Sequence, residues 1–122
     1  MASSARVIRV STGYQPRPLQ AQLHREVKRF NVLVAHRRFG KTVWAVNELI
    51  DQCLRCPKAD PRYAYIAPFF NQAKDIAWEY LKRYTAPIPG ATPNESELRV
   101  DIPGGRRIRL YGADNADRMR GI

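Results

Sequence analysis

Apolar and polar residues recur along the chain with periods that predict its first elements. Four apolar side chains fall four, four and three residues apart, which predicts an amphipathic helix over residues 19–30: Leu19, Leu23, Val27 and Phe30. Asn31 ends this pattern. The uninterrupted apolar run Val32 to Ala35 then predicts a short strand buried on both faces, as parallel strands are.

A second helical period begins at Thr42 and ends near Pro57, carried by Val43, Val46, Ile50 and either Cys53 or Leu54. Tyr63 to Ala67 has the composition of a second strand, and Pro68 stops it. Asn71 is a suitable helix cap, and a further apolar stripe follows it at Ala73, Ile76, Ala77, Tyr80, Leu81 and Tyr84.

A loop rich in proline and glycine, Pro87 to Pro93, leads into the last elements. Residues 97–101 and 106–111 alternate charged and apolar side chains on either side of Pro103-Gly104-Gly105, which predicts a β-hairpin. The order strand, loop, helix, strand, helix is typical of an α/β fold with a parallel sheet. Residues 1–18, with Pro16 and Pro18, are expected to form an extended arm before this domain.

The net charge of the chain and its distribution indicate what kind of molecule the protein binds. Of 122 residues, 21 are Lys or Arg and 11 are Asp or Glu, a net charge of +10. Residues 1–42 hold nine basic residues and one acid, net +8, and the remaining 80 hold twelve and ten, net +2. A basic N-terminal third favours a polyanion, either nucleic acid or the phosphates of a nucleotide. The alternative is a basic surface that serves solubility alone. No apolar run is long enough to span a membrane, so no membrane partner is predicted.

The residues between the first strand and its helix have a pattern typical of phosphate binding. Residues 35–42, AHRRFGKT, have the spacing of the G-x-x-x-x-G-K-[ST] loop, with alanine in place of the first glycine. In such a loop, backbone N–H groups and a lysine hold the phosphates, and a hydroxyl ligates Mg²⁺. The pattern predicts a site for ATP and Mg²⁺ formed by Ala35, His36, Phe39, Gly40, Lys41 and the magnesium ligand Thr42.

Three nearby side chains each allow two interpretations. Arg37 and Arg38 are either solvated loop charges or cations that stabilise the charge developing during phosphoryl transfer. Gln20 lies about twenty residues before the lysine, and its carboxamide can donate to and accept from an adenine edge. The alternative for Gln20 is a residue at the start of a helix that faces water.

Four segments, in this order, resemble the N-terminal ATPase region of the large terminase subunit of tailed bacteriophages and prophages. They are YQPRPLQ at 14–20, AHRRFGKT at 35–42, YIAPFFNQAKDIAWEYLK at 65–82 and LYGADNADRMRGI at 110–122. The resemblance implies the fold of a P-loop NTPase, a three-layer sandwich with a parallel-type central sheet. It also implies an ATP-driven motor that moves viral DNA into procapsids, normally followed by a nuclease domain.

Residue by residue, the resemblance implies that Lys41 and Thr42 hold the phosphates and Mg²⁺ and that Gln20 lies at the adenine. Arg37 or Arg38 would act on the ATP of its own subunit. Arg120, with Arg118 as second choice, would act on that of the neighbour in a homo-oligomeric ring. The implied partners are double-stranded DNA, the portal protein and the small terminase subunit, in the cytoplasm of the bacterial host at the procapsid portal.

The sequence departs from this family in its acids. ATP hydrolysis needs an aspartate for Mg²⁺ and a glutamate to orient water, and no adjacent Asp-Glu pair occurs in the sequence. Asp101 and Asp114 end segments that alternate arginine with apolar residues, a pattern that does not predict buried parallel strands. Residues 19–122 are therefore expected to be the N-terminal part of the ATPase domain, truncated before its Walker B strand, without the nuclease and not competent for hydrolysis alone.

Two other functions compete with this one. The glutamine segment and the phosphate loop also suit a fragment of a helicase-like, nucleic-acid-dependent ATPase. A non-enzymatic basic module that binds nucleic acid is the third hypothesis, in which Gly40-Lys41-Thr42 is incidental.

The remaining polar and aromatic residues favour structural roles. Cys53 and Cys56 are expected to be structural thiols, and the two histidines lack the spacing of zinc ligands. Trp44 and Trp78 are expected to pack on helices. The three hairpin arginines either contact DNA phosphates or face water: Arg106, Arg107 and Arg109.

Overall fold

The computed structural model describes residues 11–35 and 40–114. In chain order they form helix α1 (Pro18–Glu26), helix α2 (Lys41–Arg55), strand β1 (Arg62–Ala67), helix α3, and strands β2 (Thr92–Asn94), β3 (Arg99–Ile102) and β4 (Arg106–Gly112). Helix α3 has three consecutive segments: Phe70–Gln72, the π-helical Ala73–Ala77 and Trp78–Thr85. None of these helices is long and apolar enough to cross a membrane.

The strands form one mixed sheet in the order β1-β4-β3-β2. The predicted hairpin is confirmed, because β3 and β4 pair antiparallel with Val100 opposite Ile108. The interpretation of its second strand is wrong, because β4 also pairs parallel with β1, with Tyr63 opposite Ile108. An α/β fold with a parallel pair is therefore present, while the three-layer arrangement stays a prediction.

Charged and apolar residues alternate along β4 because one face of this strand packs on the helices and the other carries its arginines. Ile108 and Leu110 are buried and belong to one apolar core with side chains of α2 and α3. Arg107 and Arg109 alternate with these residues and turn to the other face, where Arg107 Nε donates to Asp101 Oδ1 at 2.7 Å. The guanidinium of Arg109 lies 4.9 Å from the centre of the Tyr111 ring. The strand therefore keeps an alternating sequence although it pairs parallel with β1.

Helix α2 follows its prediction, since Val46, Ile50 and Cys53 are buried in the core. Its carboxyl end is held by Arg106, which donates from Nε to the carbonyl of Cys53 at 3.0 Å and from Nη2 to that of Cys56 at 3.3 Å. A cation at this end also opposes the negative pole of the helix dipole. Arg106 is therefore half-buried against the end of α2, and Arg107 is likewise half-buried in an ion pair.

The predicted apolar stripe of helix α3 is largely confirmed, since Ala73, Ala77 and Leu81 are buried in the core. The helix differs from its prediction at its start and at two positions of the stripe. Asn71 lies inside the helix, and the first amide, of Phe70, is capped by Asp114 Oδ1 at 3.0 Å. Ile76 is 52 % exposed, while Trp78 is buried. The π-helical segment adds a residue to one turn and so rotates the remainder of the helix, and Trp78 joins the predicted stripe in the core.

Helix α1 ends earlier than the apolar period predicts, at Glu26. Asn31 provides the reason, because its side chain accepts from the Lys28 amide at 2.9 Å and donates to the Lys28 carbonyl at 2.6 Å. These local bonds use the backbone groups that a continuing helix would need. Leu19 and Phe30, predicted on the buried face, are 63 % and 84 % exposed.

The predicted strand at residues 32–35 is wrong for the part of the chain that the structure describes. The segment has no strand pairing there, and Val32 and Val34 are 94 % and 91 % exposed. A strand buried on both faces needs neighbouring strands and covering helices, and the described sheet places neither around this segment.

The core role of β4 predicts a contrast between two isoleucines on paired strands. Ile108→Ala removes a fully buried side chain and should lower the free energy of unfolding by about 2–5 kcal/mol. Ile66→Ala, where the side chain is 55 % exposed, should cost less than about 1 kcal/mol. Urea unfolding of both variants measures the difference, and equal losses would contradict the assignment of the covered face.

Asp101 predicts a pH-dependent contribution to stability. Burial raises the pKa of its carboxyl, but the hydrogen bonds and charges of Arg107 and Arg99 outweigh burial and hold that pKa below its ordinary value. Because the folded-state pKa is the lower one, the stabilisation is complete above the unfolded-state pKa and is lost as the pH falls through the folded-state pKa.

Asp101→Asn should therefore lower the free energy of unfolding at pH 7 by about 0.5–1 kcal/mol, an amount reduced by solvent because the side chain is 38 % exposed. The difference from the unsubstituted protein should vanish in acid, as followed by urea unfolding across pH. Asp75→Asn, at an exposed residue, is the control. A difference that persists undiminished in acid would contradict the role of the carboxylate.

Candidate functional site

The amino end of α2 is the centre of the candidate site. Gly40, the residue before the helix, has φ 81° and ψ 46°, a left-handed conformation that glycine adopts without the cost of a Cβ. Helical bonding begins here, with the Trp44 amide donating to the Gly40 carbonyl at 3.0 Å. Glycine has no side chain to cap the first turn, and this turn holds no acid. Its N–H groups therefore present the positive end of the helix dipole to an anion.

Lys41 directs its charge back toward the loop. Its side chain is exposed, and Nζ donates to the Ala35 carbonyl at 2.7 Å. Ala35 and Gly40 are the two ends of the candidate phosphate loop, so the ammonium group links the start of α2 with the first residue of that loop. Thr42 follows in the first turn of α2 and is partly buried.

Gln20 lies against the same turn. Its side chain is buried, so the interpretation of a helix-start glutamine facing water is wrong. Nε2 donates to the Gly40 carbonyl at 3.3 Å, and Oε1 accepts from the Arg17 amide at 2.9 Å. The amide thus joins the start of α1 to the glycine that opens α2, and its role at a base stays a prediction.

The other predicted site residues lie outside the described residues. These are the central loop residues His36, Arg37, Arg38 and Phe39 and the distant Arg120. The positively charged groups described near Gly40 are Lys41 and Arg17, whose Nη2 lies 3.0 Å from the place that a Gly40 Cβ would take. The described part of the site is therefore a cationic helix start, which suits a phosphate.

The two aspartates considered as acids have structural partners. Asp101 lies within β3 and accepts hydrogen bonds from Arg99 and Arg107. Asp114 follows β4 and caps α3. Within residues 11–35 and 40–114, no three His, Cys, Asp or Glu side chains are grouped as metal ligands would be. Both cysteines are free thiols, as predicted.

Sequence reasoning missed a polar cluster beside this helix start. Tyr14 Oη lies 2.8 Å from His24 Nε2, and His24 Nδ1 lies 2.7 Å from Glu48 Oε1. The His24 ring also stacks on Trp44, with centroids 5.1 Å apart and an interplanar angle of 20°. These residues come from the N-terminal arm, α1 and α2. No local spacing signals a cluster assembled from three separate segments.

Similarity to solved structures establishes the fold. The chain superposes on the Thermus phage P74-26 large terminase ATPase domain with a TM-score of 0.68, 24% identity and coverage of 91% of this chain. A point mutant of the same domain gives a TM-score of 0.67 and 23% identity. The chain has the fold of a phage large terminase ATPase domain. No protein-family model and no curated protein matches it.

The match to the terminase ATPase fold extends over nearly all of this chain but covers 51% of the solved domain. The chain thus spans about half the length of the structures it resembles. The fold expected from the four sequence segments is confirmed at this level, with α2, β1 and β4 placed as parts of one α/β unit.

The conformation of Gly40 predicts that alanine is not tolerated there. A Cβ would impose left-handed strain and lie 2.8 Å from Gln20 Nε2 and 3.0 Å from Arg17 Nη2. Gly40→Ala should lower the free energy of unfolding by about 1–2 kcal/mol from strain, and by more if the two side chains cannot move away.

Gly13→Ala is the matched control, because Gly13 has a similar φ of +79° and nothing within 4 Å of its would-be Cβ. It should show the strain alone. Thermal and urea unfolding of the two variants give the comparison, and an equal or smaller loss at Gly40 would mean that the contact with Gln20 does not constrain the helix start.

Proposed function

We propose that this chain binds ATP with Mg²⁺ at the amino end of α2 and belongs to the ATPase of a phage terminase large subunit, the motor that moves viral DNA into procapsids. The observation that carries the proposal is the lysine at this helix start. Lys41 Nζ reaches the Ala35 carbonyl from the first turn of a helix opened by a left-handed glycine. This arrangement, within the terminase ATPase fold, supports a phosphate-binding function.

The residues fit the nucleotide group by group. The amides after Gly40 and the ammonium of Lys41 would hold the phosphates, and the Thr42 hydroxyl would ligate Mg²⁺. Ala35, His36 and Phe39 would complete the loop, and Gln20 would lie toward the adenine. When bound, Mg²⁺ supplies charge neutralisation at the phosphate oxygens. The protein's own residues bind and orient the triphosphate.

The proposal gives three arginines a role in ATP turnover. Arg37 or Arg38 would stabilise charge on the bound triphosphate from the same subunit, and Arg120 would do so from its neighbour in a ring. The sequence contains no adjacent Asp-Glu pair, so we propose nucleotide binding, and not hydrolysis, for this chain by itself. Residues 19–122 would then be the N-terminal part of the ATPase domain, after an arm at 1–18.

The wider assembly follows from the same proposal. Double-stranded DNA would be the polyanion that suits the net charge of +10, with the portal protein and the small terminase subunit as protein partners. The place of action would be the cytoplasm of the bacterial host, at the procapsid portal. These assignments rest on the terminase ATPase fold and on the four sequence segments.

The test is ATP binding by Lys41→Ala. Removal of a charge-assisted contact to phosphate should weaken binding of ATP with Mg²⁺ by about 10- to 100-fold, from roughly 1.5–3 kcal/mol of lost interaction. The melting temperature should stay unchanged, because the side chain is exposed. Isothermal titration calorimetry at fixed ionic strength measures the affinity.

Lys58→Ala is the control, since Lys58 is an exposed lysine just beyond the opposite end of α2. It removes the same charge from the molecule and should leave the affinity unchanged. Equal affinities for Lys41→Ala and the unsubstituted protein would favour the non-enzymatic basic module. Binding of double-stranded DNA without any binding of ATP would favour it as well.

A further inference from the structure

His24 occupies the junction of three segments of the chain. It lies on α1, its Nε2 contacts Tyr14 of the N-terminal arm at 2.8 Å, and its Nδ1 contacts Glu48 of α2 at 2.7 Å. The side chains of His24 and Glu48 are 20% and 13% exposed, so water screens this pair less than it screens a surface pair. One imidazole therefore ties the arm and α1 to α2.

The chemistry of the partners sets the direction of the bonds. A carboxylate only accepts, so His24 Nδ1 carries a hydrogen and donates to Glu48. In the neutral ring Nε2 is then an acceptor, and the hydroxyl of Tyr14 donates to it. Burial, with a smaller contribution from Tyr84, raises the pKa of Tyr14 to about 12, so this hydroxyl keeps its proton. Both ring nitrogens of His24 thus have a hydrogen-bond partner.

Aromatic packing fixes the ring further. His24 stacks on Trp44 with centroids 5.1 Å apart, and the edge of Tyr14 meets the imidazole at 5.6 Å and 87°. Tyr14 itself packs edge-on against Tyr84 of α3, with centroids 5.8 Å apart. The ring is therefore held through two nitrogens and two aromatic contacts, which restrains α1 against rotation as well as separation.

The spacing of residues on the two helices connects this cluster with the candidate site. Gln20 and His24 are four residues apart on α1, and so lie on one face of it. Trp44 and Glu48 are likewise four apart on α2, and the amide of Trp44 bonds to the carbonyl of Gly40. His24 thus meets α2 just beyond the turn where Gln20 meets Gly40.

Helix α1 depends on such contacts for its position. It has nine residues, Pro18–Glu26, which is shorter than isolated helices that persist in water. Its first half contacts the start of α2 through Gln20, and its second half is anchored through His24. Loss of the His24 contacts should therefore let the first half of α1 move away from Gly40. The effect of His24 on Gly40 would be indirect, through the position of α1.

We propose that His24 is a positioning residue for the nucleotide site: its bonds to Glu48 and Tyr14 clamp α1 onto α2 and thereby hold Gln20 against Gly40. The inference rests on the proposed function, since a nucleotide is the ligand that this helix start would receive. It adds a clamp formed by Tyr14, His24, Glu48 and Trp44 to the loop residues.

A double-mutant cycle tests the clamp. His24→Phe keeps a flat ring for stacking and removes both hydrogen bonds, and it should weaken binding of ATP with Mg²⁺ by about 3- to 10-fold, the value of one or two hydrogen bonds. Gln20→Ala should weaken it as well. In the Gln20→Ala background, His24→Phe should cause no further loss, because it acts through Gln20. Losses that multiply, or no loss from His24→Phe, would overturn the proposal.

A conservative variant separates the two bonds of the ring. His24→Asn places an amide N–H near the former Nδ1 and can still donate to Glu48, so it should recover most of the affinity that His24→Phe loses. A general loss of packing would not be repaired by this smaller side chain. If His24→Asn binds ATP more weakly than His24→Phe does, the bond to Glu48 is not the clamp.

Hydrogen exchange in the nucleotide-free protein keeps this inference distinct from the proposed function. His24→Phe should speed exchange of the Trp44 amide by about 3- to 10-fold, because the first turn of α2 opens more often. The Leu110 amide of β4, bonded to the Leu98 carbonyl just before β3, is the internal reference and should not change. Unchanged exchange at Trp44 contradicts the clamp. Failure of the unsubstituted protein to bind ATP contradicts the proposed function, whatever the exchange shows.

Discussion

Burial of one face of the sheet under α2 and α3 is the interaction on which the rest of the described structure depends. Ile108 and Leu110 of the central strand β4 meet Val46 and Ile50 of α2 in one apolar core. Removal of this area from water is the main favourable contribution to folding. Helix α2 is thereby held along its buried stripe, and Arg106 holds its carboxyl end.

How far the sequence predicts this fold depends on how local each signal is. Helix α2 was predictable because its apolar period is regular and its neighbours in space bury the residues that the period selects. Strand β1 was predictable from its composition and from the proline that ends it. The parallel pairing of β4 was not predictable. Alternation of charged and apolar residues indicates that the two faces of a strand differ, and it says nothing about the direction of the neighbouring strand. The prediction of a buried strand at residues 32–35 was wrong for a related reason. An apolar run does not show whether other strands and helices lie around it.

The candidate site divides in the same way. Gly40-Lys41-Thr42 is contiguous, and its conformation follows from a glycine before a helix, so sequence alone located it. Gln20 was identified from the sequence because its carboxamide could bind an adenine edge. Its burial against Gly40 could not be predicted, because it depends on how α1 packs against α2. The cluster around His24 was out of reach, since it joins residues that are separated by tens of positions and become neighbours only when the arm, α1 and α2 pack together.

The π-helical turn in α3 has a consequence for how this chain is compared with its relatives. Such a turn accommodates one more residue than an α-helical turn without breaking the helix. In a homologous chain that lacks the extra residue, the helix would run straight, and the gap in a correct alignment would fall inside residues 73–77, not in a flanking loop. Alignment methods that forbid gaps in helices would shift every later residue, Trp78 included, by one position and misjudge which side chains correspond.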